Sequence, residues 1–162
     1  MAGLGGDEAK AALGDAYQGV TGMIDGLGEP DFLLPTHCLG WTVSDVLYHL
    51  FADARRALAT LAPYPVVATQ GHALAIADFA GTLAVEATIH HLDMIACVPA
   101  APGPAAGCLA LVRRTLDGLL GVAADAGWDD TTYALKGTGR QPLSAADRSR
   151  LGCLAGRFPL LE

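Results

Sequence analysis

The sequence predicts an all-α protein: a bundle of four helices followed by a short C-terminal appendage. Apolar residues recur every three or four positions over the first three quarters of the 162-residue chain, which is the period of helices with one buried face. Glycines and prolines interrupt this period and divide it into four segments of roughly twenty residues, a length that suits bundle helices. We expect one domain over residues 1–162, with the bundle at about residues 7–126.

The first helix is predicted over about residues 7–27, with Tyr17 on its apolar stripe. Gly28 and Pro30 end it. Residues 31–40 keep no helical period, so they are predicted to form a loop that crosses to the next helix.

The second helix is predicted to begin at Thr42, whose hydroxyl can cap the free N–H groups of the first turn. Asp45, three residues later, completes the spacing of a capping box. The helix is expected to reach about Leu61, where Pro63 and Pro65 end it.

The third helix is predicted over about residues 72–98, and the fourth, opened by Pro104, runs to about residue 126. Residues 127–162 are too few for a core of their own and are predicted to form the appendage. Within it, residues 131–135 have β-type side chains and predict a short extended segment. Ser144 has capping-box spacing to Asp147 and predicts a short helix that ends near residue 154.

Composition excludes two classes of partner. The chain has ten basic and seventeen acidic residues, a net charge of −7, and no basic run, so we expect neither a nucleic-acid surface nor an anionic-membrane surface. The longest uncharged stretch, residues 94–112, contains prolines and glycines that exclude a membrane-spanning helix. The mean hydropathy of +0.36 favours a homodimer, because it indicates more apolar surface than one small bundle exposes.

Two further features predict a cytoplasmic protein. The first ten residues include Asp7 and Glu8 and lack the basic flank and apolar core of a signal peptide. The four cysteines are widely spaced and form no C-x-x-C pair, as expected for reduced thiols. The excess of arginine over lysine, with abundant alanine and glycine, is typical of the high-GC genomes of actinobacteria.

The candidate chemistry lies on the second and third helices. Glu86 and His90 are four residues apart and share one helix face, and Asp93 follows His90 by three residues on the same face. His49 interrupts the apolar face of the second helix. If the two helices are neighbours, His49, Glu86 and His90 meet in the bundle.

Two imidazoles and a carboxylate suit a borderline divalent cation such as Zn²⁺ or Ni²⁺. Three protein ligands leave a coordination position open, as in catalytic rather than structural zinc sites. Asp93 is expected to orient the site by accepting the second ring N–H of His90 or a proton of a bound water.

Other interpretations stay open at this point. The E-x-x-x-H pattern occurs by chance on helices, and a lone histidine such as His49 is commonly a hydrogen-bonded core residue. His91 is expected beside the site or at the surface, and His37 and His72 are expected in solvent. Cys38 has no cationic neighbour in the sequence, which predicts a structural role.

Two blocks of the sequence resemble a known family. Residues 38–50, CLGWTVSDVLYHL, resemble the opening motif C-x-G-W-T-x-x-D-x-x-x-H-L of the mycothiol-dependent maleylpyruvate isomerase N-terminal domain family. Residues 86–93, EATIHHLD, are similar to the family's E-x-x-x-H-x-x-D on its third helix. The tail, with residues 139–143 and 157–160, resembles the ending of small single-domain relatives.

The resemblance implies a DinB-like four-helix bundle with a long crossover between helices 1 and 2. It also implies His49, Glu86 and His90 as metal ligands and mycothiol, a low-molecular-weight thiol, as co-substrate. A metal-bound thiol loses its proton at neutral pH and becomes a nucleophile, which then adds to an activated carbon.

These implications predict a metal-dependent enzyme that transfers a thiol to a small electrophilic substrate or isomerises that substrate. The two-domain maleylpyruvate isomerases use a C-terminal domain at the substrate site, and this sequence ends at Glu162, so a different electrophile from maleylpyruvate is expected. The alternative is a non-catalytic bundle that keeps the fold as a metal-binding, regulatory or interaction module.

Overall fold

The computed structural model describes residues 5–60, 66–69, 71–98, 100–124 and 126–161. Over these residues the protein is mostly helical, with one small two-stranded sheet, so the predicted all-α class is confirmed apart from that sheet. None of the described helices is long and apolar enough to cross a membrane. The chain forms two compact units that divide between Ala105 and Ala106, and each unit is described by itself.

The first unit contains three α-helices, a 3₁₀ segment and a hairpin, in the order α1 (Gly6–Ile24), the 3₁₀ segment (Glu29–Leu33), α2 (Val43–Thr60), β1 (Val66–Thr69), β2 (His72–Ala75) and α3 (Ile76–Ile95). The second unit contains α4 (Ala106–Leu120), α5 (Asp130–Gly137), α6 (Ala145–Leu151) and a final 3₁₀ segment (Gly152–Arg157).

Helix α1 packs closely against α3, and small residues make this possible. Ala9 and Ala16 on α1 are buried. A Cβ atom at Gly19 would lie 3.3 Å from Nδ1 of His91 on α3, tighter than an ordinary contact. His91 is therefore buried between the helices rather than at the surface, and its Nε2 lies 3.0 Å from the carbonyl oxygen of Pro102.

The connection between α1 and α2 is a loop, as predicted, with a 3₁₀ segment in its first half. The backbones of Pro35 and Thr42 form an antiparallel bridge, so the second half of the loop turns back on itself. Gly40 sits in this turn at a φ of +82°, a conformation that glycine adopts without strain.

The predicted capping box at the start of α2 is confirmed. The Asp45 N–H donates to Oγ1 of Thr42 over 3.3 Å, and the Thr42 N–H donates to Oδ2 of Asp45 over 2.9 Å. The hydrogen bond from the Thr42 backbone, followed by the one from its hydroxyl, lowers the pKa of the Asp45 carboxyl. These contacts define where α2 begins, and hence which face of it carries His49.

The third helix begins later than predicted, because residues 72–75 belong to a hairpin. Strands β1 and β2 pair antiparallel, with Val66 opposite Ala75. Val67 is buried in a cluster with Phe79 and Leu83 of α3, which supplies the burial that a short hairpin needs. The predicted helix end at Pro63 and Pro65 and the predicted exposure of the His72 side chain lie outside the described residues.

The second unit corrects two predictions. Helix α4 ends at Leu120 instead of near residue 126, and Gly121 follows with a φ of +80°. Residues 131–135 are helical, not extended, because Asp129 caps α5 by accepting the Thr132 N–H over 2.7 Å. Tyr133 of α5 is fully buried, so packing overrides the β-type composition.

The predicted capping box of Ser144 and Asp147 is confirmed at the start of α6. Asp147 also pairs with the buried Lys136 of α5 and accepts the Trp128 indole N–H over 2.8 Å. The hydrogen bonds from Lys136 and then Ser144 hold the pKa of the Asp147 carboxyl well below its usual range. One carboxylate thus links the cap of α6 to α5.

Replacement of Thr42 by Ala should lower the free energy of unfolding by about 1 kcal/mol, because the first turn of α2 loses its side-chain acceptor. Urea denaturation measures the change. Thr42→Ser keeps the hydroxyl and should stay close to the wild-type value; equal loss in both variants would contradict a capping role.

The ion pair of Asp147 should make stability sensitive to acid. Since the carboxyl pKa is lower in the folded than in the unfolded chain, the stabilisation is fully present above about pH 4 and is lost as the pH falls further. Asp147→Asn should be less stable at neutral pH and lose less stability on acidification, as measured by denaturation at a series of pH values. Asp78→Asn, at an exposed position on α3, should keep the wild-type pH dependence.

Candidate metal centre

The side chains of His49 on α2 and Glu86 on α3 meet across the contact between these helices. Nε2 of His49 lies 3.1 Å from Oε1 of Glu86. His49 follows the buried Val46 and precedes the buried Leu50, so it sits at the edge of the buried stripe of α2. Both site residues are partly exposed, at 29% for His49 and 38% for Glu86, which leaves this pair open to solvent.

His90 completes a set of three donors. Its ring lies edge-on to the ring of His49, with the centroids 5.1 Å apart. One ligand atom each from His49, Glu86 and His90 lies within 4.8 Å of the other two. Ligands of a tetrahedral zinc ion lie about 3.4 Å from one another, so small side-chain rotations are enough to bring these three atoms around one cation.

Asp93 lies behind His90 and is fully buried. Its Oδ2 is 3.0 Å from Nδ1 of His90, a distance at which a protonated Nδ1 donates to the carboxylate. With Nδ1 in this contact, Nε2 is the ring nitrogen of His90 that is left to act as a ligand atom. Carboxylates commonly orient metal-binding histidines in this way.

Cys38 is brought to the same place, although its sequence context indicated only a structural role. Its Sγ donates to Oδ2 of Asp93 over 3.1 Å and lies 3.6 Å from Nδ1 of His90. His37, expected in solvent, is 39% exposed, and its Nδ1 is 3.9 Å from Oδ1 of Asp93. No local signal could place this loop against α3, because Cys38 and Asp93 are 55 residues apart.

A groove of about 530 Å³ opens beside His49. Its lining residues come from the start and the exposed face of α2 and from the turn before it: Gly40, Trp41, Asp45, Tyr48, His49, Ala52, Asp53 and Arg56. The Trp41 ring lies edge-on to His49, with the centroids 5.5 Å apart. Trp41 therefore both contacts His49 and lines this groove.

Asp53 adds a second carboxylate beside His49. Its Oδ2 lies 3.3 Å from Nε2 of His49, one helical turn along α2. Arg56 donates to Oδ1 of Asp53 over 2.9 Å and holds the carboxylate in place at the groove. The i, i+4 spacing of His49 and Asp53 places the two side chains on one face of α2.

The pKa of Tyr17 on α1 depends on the negative charge of the site. Burial raises the pKa of its phenol, and the negative charges of Glu86 and Asp53 raise this pKa further. The hydroxyl donates to the carbonyl oxygen of Leu50 over 3.3 Å. From sequence Tyr17 belonged to an apolar stripe, and nothing local indicated its proximity to two carboxylates.

Comparison with known protein families matches part of the chain. Residues 13–75 match the family described as mycothiol maleylpyruvate isomerase N-terminal domain. The matched segment contains the first of the two blocks that carry the resemblance, with Cys38, Trp41 and His49, whereas Glu86 and His90 lie beyond it. Searches of curated proteins and of solved structures gave no match. The family predicted from the motifs is thereby confirmed over this segment.

The Tyr17 phenol should titrate above its ordinary pKa of about 10. Glu86→Gln should lower this pKa toward the ordinary value, because the carboxylate no longer opposes the tyrosinate; Asp53→Asn should lower it less. Near-ultraviolet absorbance, with Tyr17→Phe subtracted, follows this residue alone. Glu29→Gln, at an exposed position, is the control, and an unchanged pKa in Glu86→Gln would contradict the electrostatic coupling.

Proposed function

We propose that this protein is a metal-dependent enzyme that uses a low-molecular-weight thiol, because residues 13–75 match the mycothiol maleylpyruvate isomerase N-terminal domain family. The thiol, mycothiol or a similar compound, is transferred to a small electrophilic substrate or serves to isomerise it. His49, Glu86 and His90 are the proposed ligands of Zn²⁺, Ni²⁺ or another divalent cation. The proposal includes the DinB-like four-helix bundle, with its long crossover between helices 1 and 2, that the resemblance implies.

The convergence of the three donors from α2 and α3 carries this proposal. Two imidazole nitrogens and a carboxylate oxygen are the donors of many catalytic zinc sites, which keep one position for water or substrate. The second carboxylate, Asp53, lies 3.3 Å from His49 and favours a cation at this place by its negative charge. The donor types, their spacing and the local charge therefore all suit a divalent cation.

The groove beside His49 supports the use of small substrates. Its volume of about 530 Å³ falls within the range of small-molecule sites. Trp41 and Tyr48 provide aromatic surface there, while Asp53 and Arg56 provide polar contacts. A thiol and its electrophilic partner can therefore approach the proposed ligands from the solvent side.

Each residue of the centre has a definable task. A bound divalent cation lowers the pKa of a thiol that binds it, so that a thiolate is available at neutral pH. His49 supplies an imidazole nitrogen from α2, and Glu86 supplies a carboxylate oxygen from α3. Asp93 is a positioning residue: it fixes the His90 ring and its tautomer through Nδ1. The Trp41 ring packs against the His49 ring, with the centroids 5.5 Å apart.

Metal binding is the first test. Protein purified without added metal should carry about one divalent cation per chain, measured by elemental analysis. His49→Ala and Glu86→Gln should each weaken Zn²⁺ affinity by more than about tenfold in a competition titration with a chelator. His37→Ala, which removes a nearby imidazole outside the donor set, should keep wild-type affinity. Equal affinities in all four proteins would refute the ligand assignment.

Thiol binding separates the enzyme from a non-catalytic module that keeps the fold. Calorimetric titration of the metal-loaded protein with mycothiol should give saturable heat, and His49→Ala should abolish it. Thiol consumption with a model electrophile should fall by at least about 100-fold after metal removal. A metal-loaded protein that binds no thiol would favour the regulatory or interaction module, and a metal-free protein with full turnover would exclude the metal-dependent mechanism.

A further inference from the structure

Cys38, His90 and Asp93 form a second donor set, on the Nδ1 side of the His90 ring. One ligand atom from each lies within 4.8 Å of the other two. We propose that this set is a second binding position for a thiophilic divalent cation, such as Zn²⁺, Co²⁺ or Cd²⁺, and that it competes with the His49–Glu86 position for His90. The proposal is independent of the thiol chemistry proposed above, because it concerns only where a cation binds.

The distances within this set are short. Oδ2 of Asp93 lies 3.0 Å from Nδ1 of His90 and 3.1 Å from Sγ of Cys38, and the sulfur lies 3.6 Å from the same nitrogen. The centre of this triangle is close to all three atoms, and ligand bonds of about 2.0–2.3 Å need only slight outward movement of the side chains.

The donor types favour soft and borderline cations. A thiolate selects ions such as Zn²⁺ and Cd²⁺ over hard ions such as Mg²⁺, and the imidazole strengthens this selection. The thiolate of Cys38 and the carboxylate of Asp93 together balance the two positive charges of the cation. Asp93 is fully buried, and burying an ion costs desolvation free energy. This penalty is smallest when the charges of the ligands balance the charge of the ion.

The loop that carries Cys38 is held in place before any cation binds. The Cys38 N–H donates to Oγ1 of Thr36 over 3.1 Å, and the Cys38 carbonyl accepts the Trp41 N–H over 3.0 Å. The His37 N–H donates to the Asp93 carbonyl over 3.3 Å and ties the loop to α3. The sulfur therefore needs no backbone rearrangement to act as a ligand.

The two positions exclude each other through the chemistry of imidazole. A neutral imidazole has one protonated nitrogen and one with a free lone pair. A cation on Nδ1 of His90 places the proton on Nε2, and the His49–Glu86 position then lacks its third ligand. When the cation binds beside Cys38, the thiol proton is released to solvent and sulfur binds in its place.

The absorption spectrum of bound Co²⁺ tests the Cys38 position in a variant whose His49–Glu86 position has lost a ligand. In His49→Ala, saturating Co²⁺ should give an intense thiolate-to-cobalt charge-transfer band in the near ultraviolet, because Cys38 supplies a thiolate to the set that contains His90. Adding Cys38→Ser should abolish the band. Adding Cys97→Ser, which removes an exposed thiol just beyond α3, should leave it unchanged.

Glu86→Gln provides a second background that does not depend on the folding of His49→Ala. Saturating Co²⁺ without a charge-transfer band in both backgrounds, or no Co²⁺ binding in either, would overturn the proposal. Either result would leave the calorimetric titration of the wild type with thiol unchanged. The cation position at Cys38 and the proposed thiol chemistry can therefore be refuted independently of each other.

Alkylation gives a readout that needs no chromophore. In His49→Ala, stoichiometric Cd²⁺ should slow the reaction of Cys38 with iodoacetamide by at least about tenfold, because the ligated sulfur is no longer a free nucleophile. Cys97 in the same sample should react at an unchanged rate, as followed by mass spectrometry of the peptides. Equal protection of both cysteines, or of neither, would contradict a specific position at Cys38.

Discussion

The contact between His49 on α2 and Glu86 on α3 is the interaction on which the candidate site depends. The 3.1 Å separation of Nε2 and Oε1 requires that α2 presents a particular face to α3. Two features of α2 determine that face: the capping box of Thr42 and Asp45 defines the first turn, and buried side chains on either side of His49 define the inner stripe. The histidine thus lies at the border between the core and the groove, where its side chain remains partly exposed to solvent.

His90 has a different neighbourhood at each end of its ring. Nδ1 faces Asp93 and Cys38, which are supplied by α3 itself and by the loop before α2. The His49 ring packs against the same ring, nearly perpendicular to it, with the centroids 5.1 Å apart. The contact with Asp93 therefore has two consequences: it orients the ring for one donor set, and it is itself part of the other. Because imidazole offers one lone pair at a time, the position of a single proton decides between them.

The fold shows which sequence signals were reliable. Both capping boxes marked helix starts correctly, because the hydrogen bonds of a cap join residues three apart and depend on little else. The segment 131–135 was misjudged, because β-type side chains were outweighed by the Asp129 cap and by burial of Tyr133. The hairpin before α3 was missed for a similar reason: its strands of four residues are too short for a clear period, and burial of Val67 against α3 supports them.

The amino-acid sequence by itself determined the relations that follow from helical geometry. Glu86, His90 and Asp93 share one face of α3, and His49 lies beside the inner stripe of α2, wherever those helices pack. Only the tertiary structure decided that Cys38 touches Asp93, that Asp53 and His49 frame a groove, and that Tyr17 lies within the field of two carboxylates. Those relations depend on how helices cross and how a loop returns between them, and residues tens of positions apart carry no local pattern that records such a path.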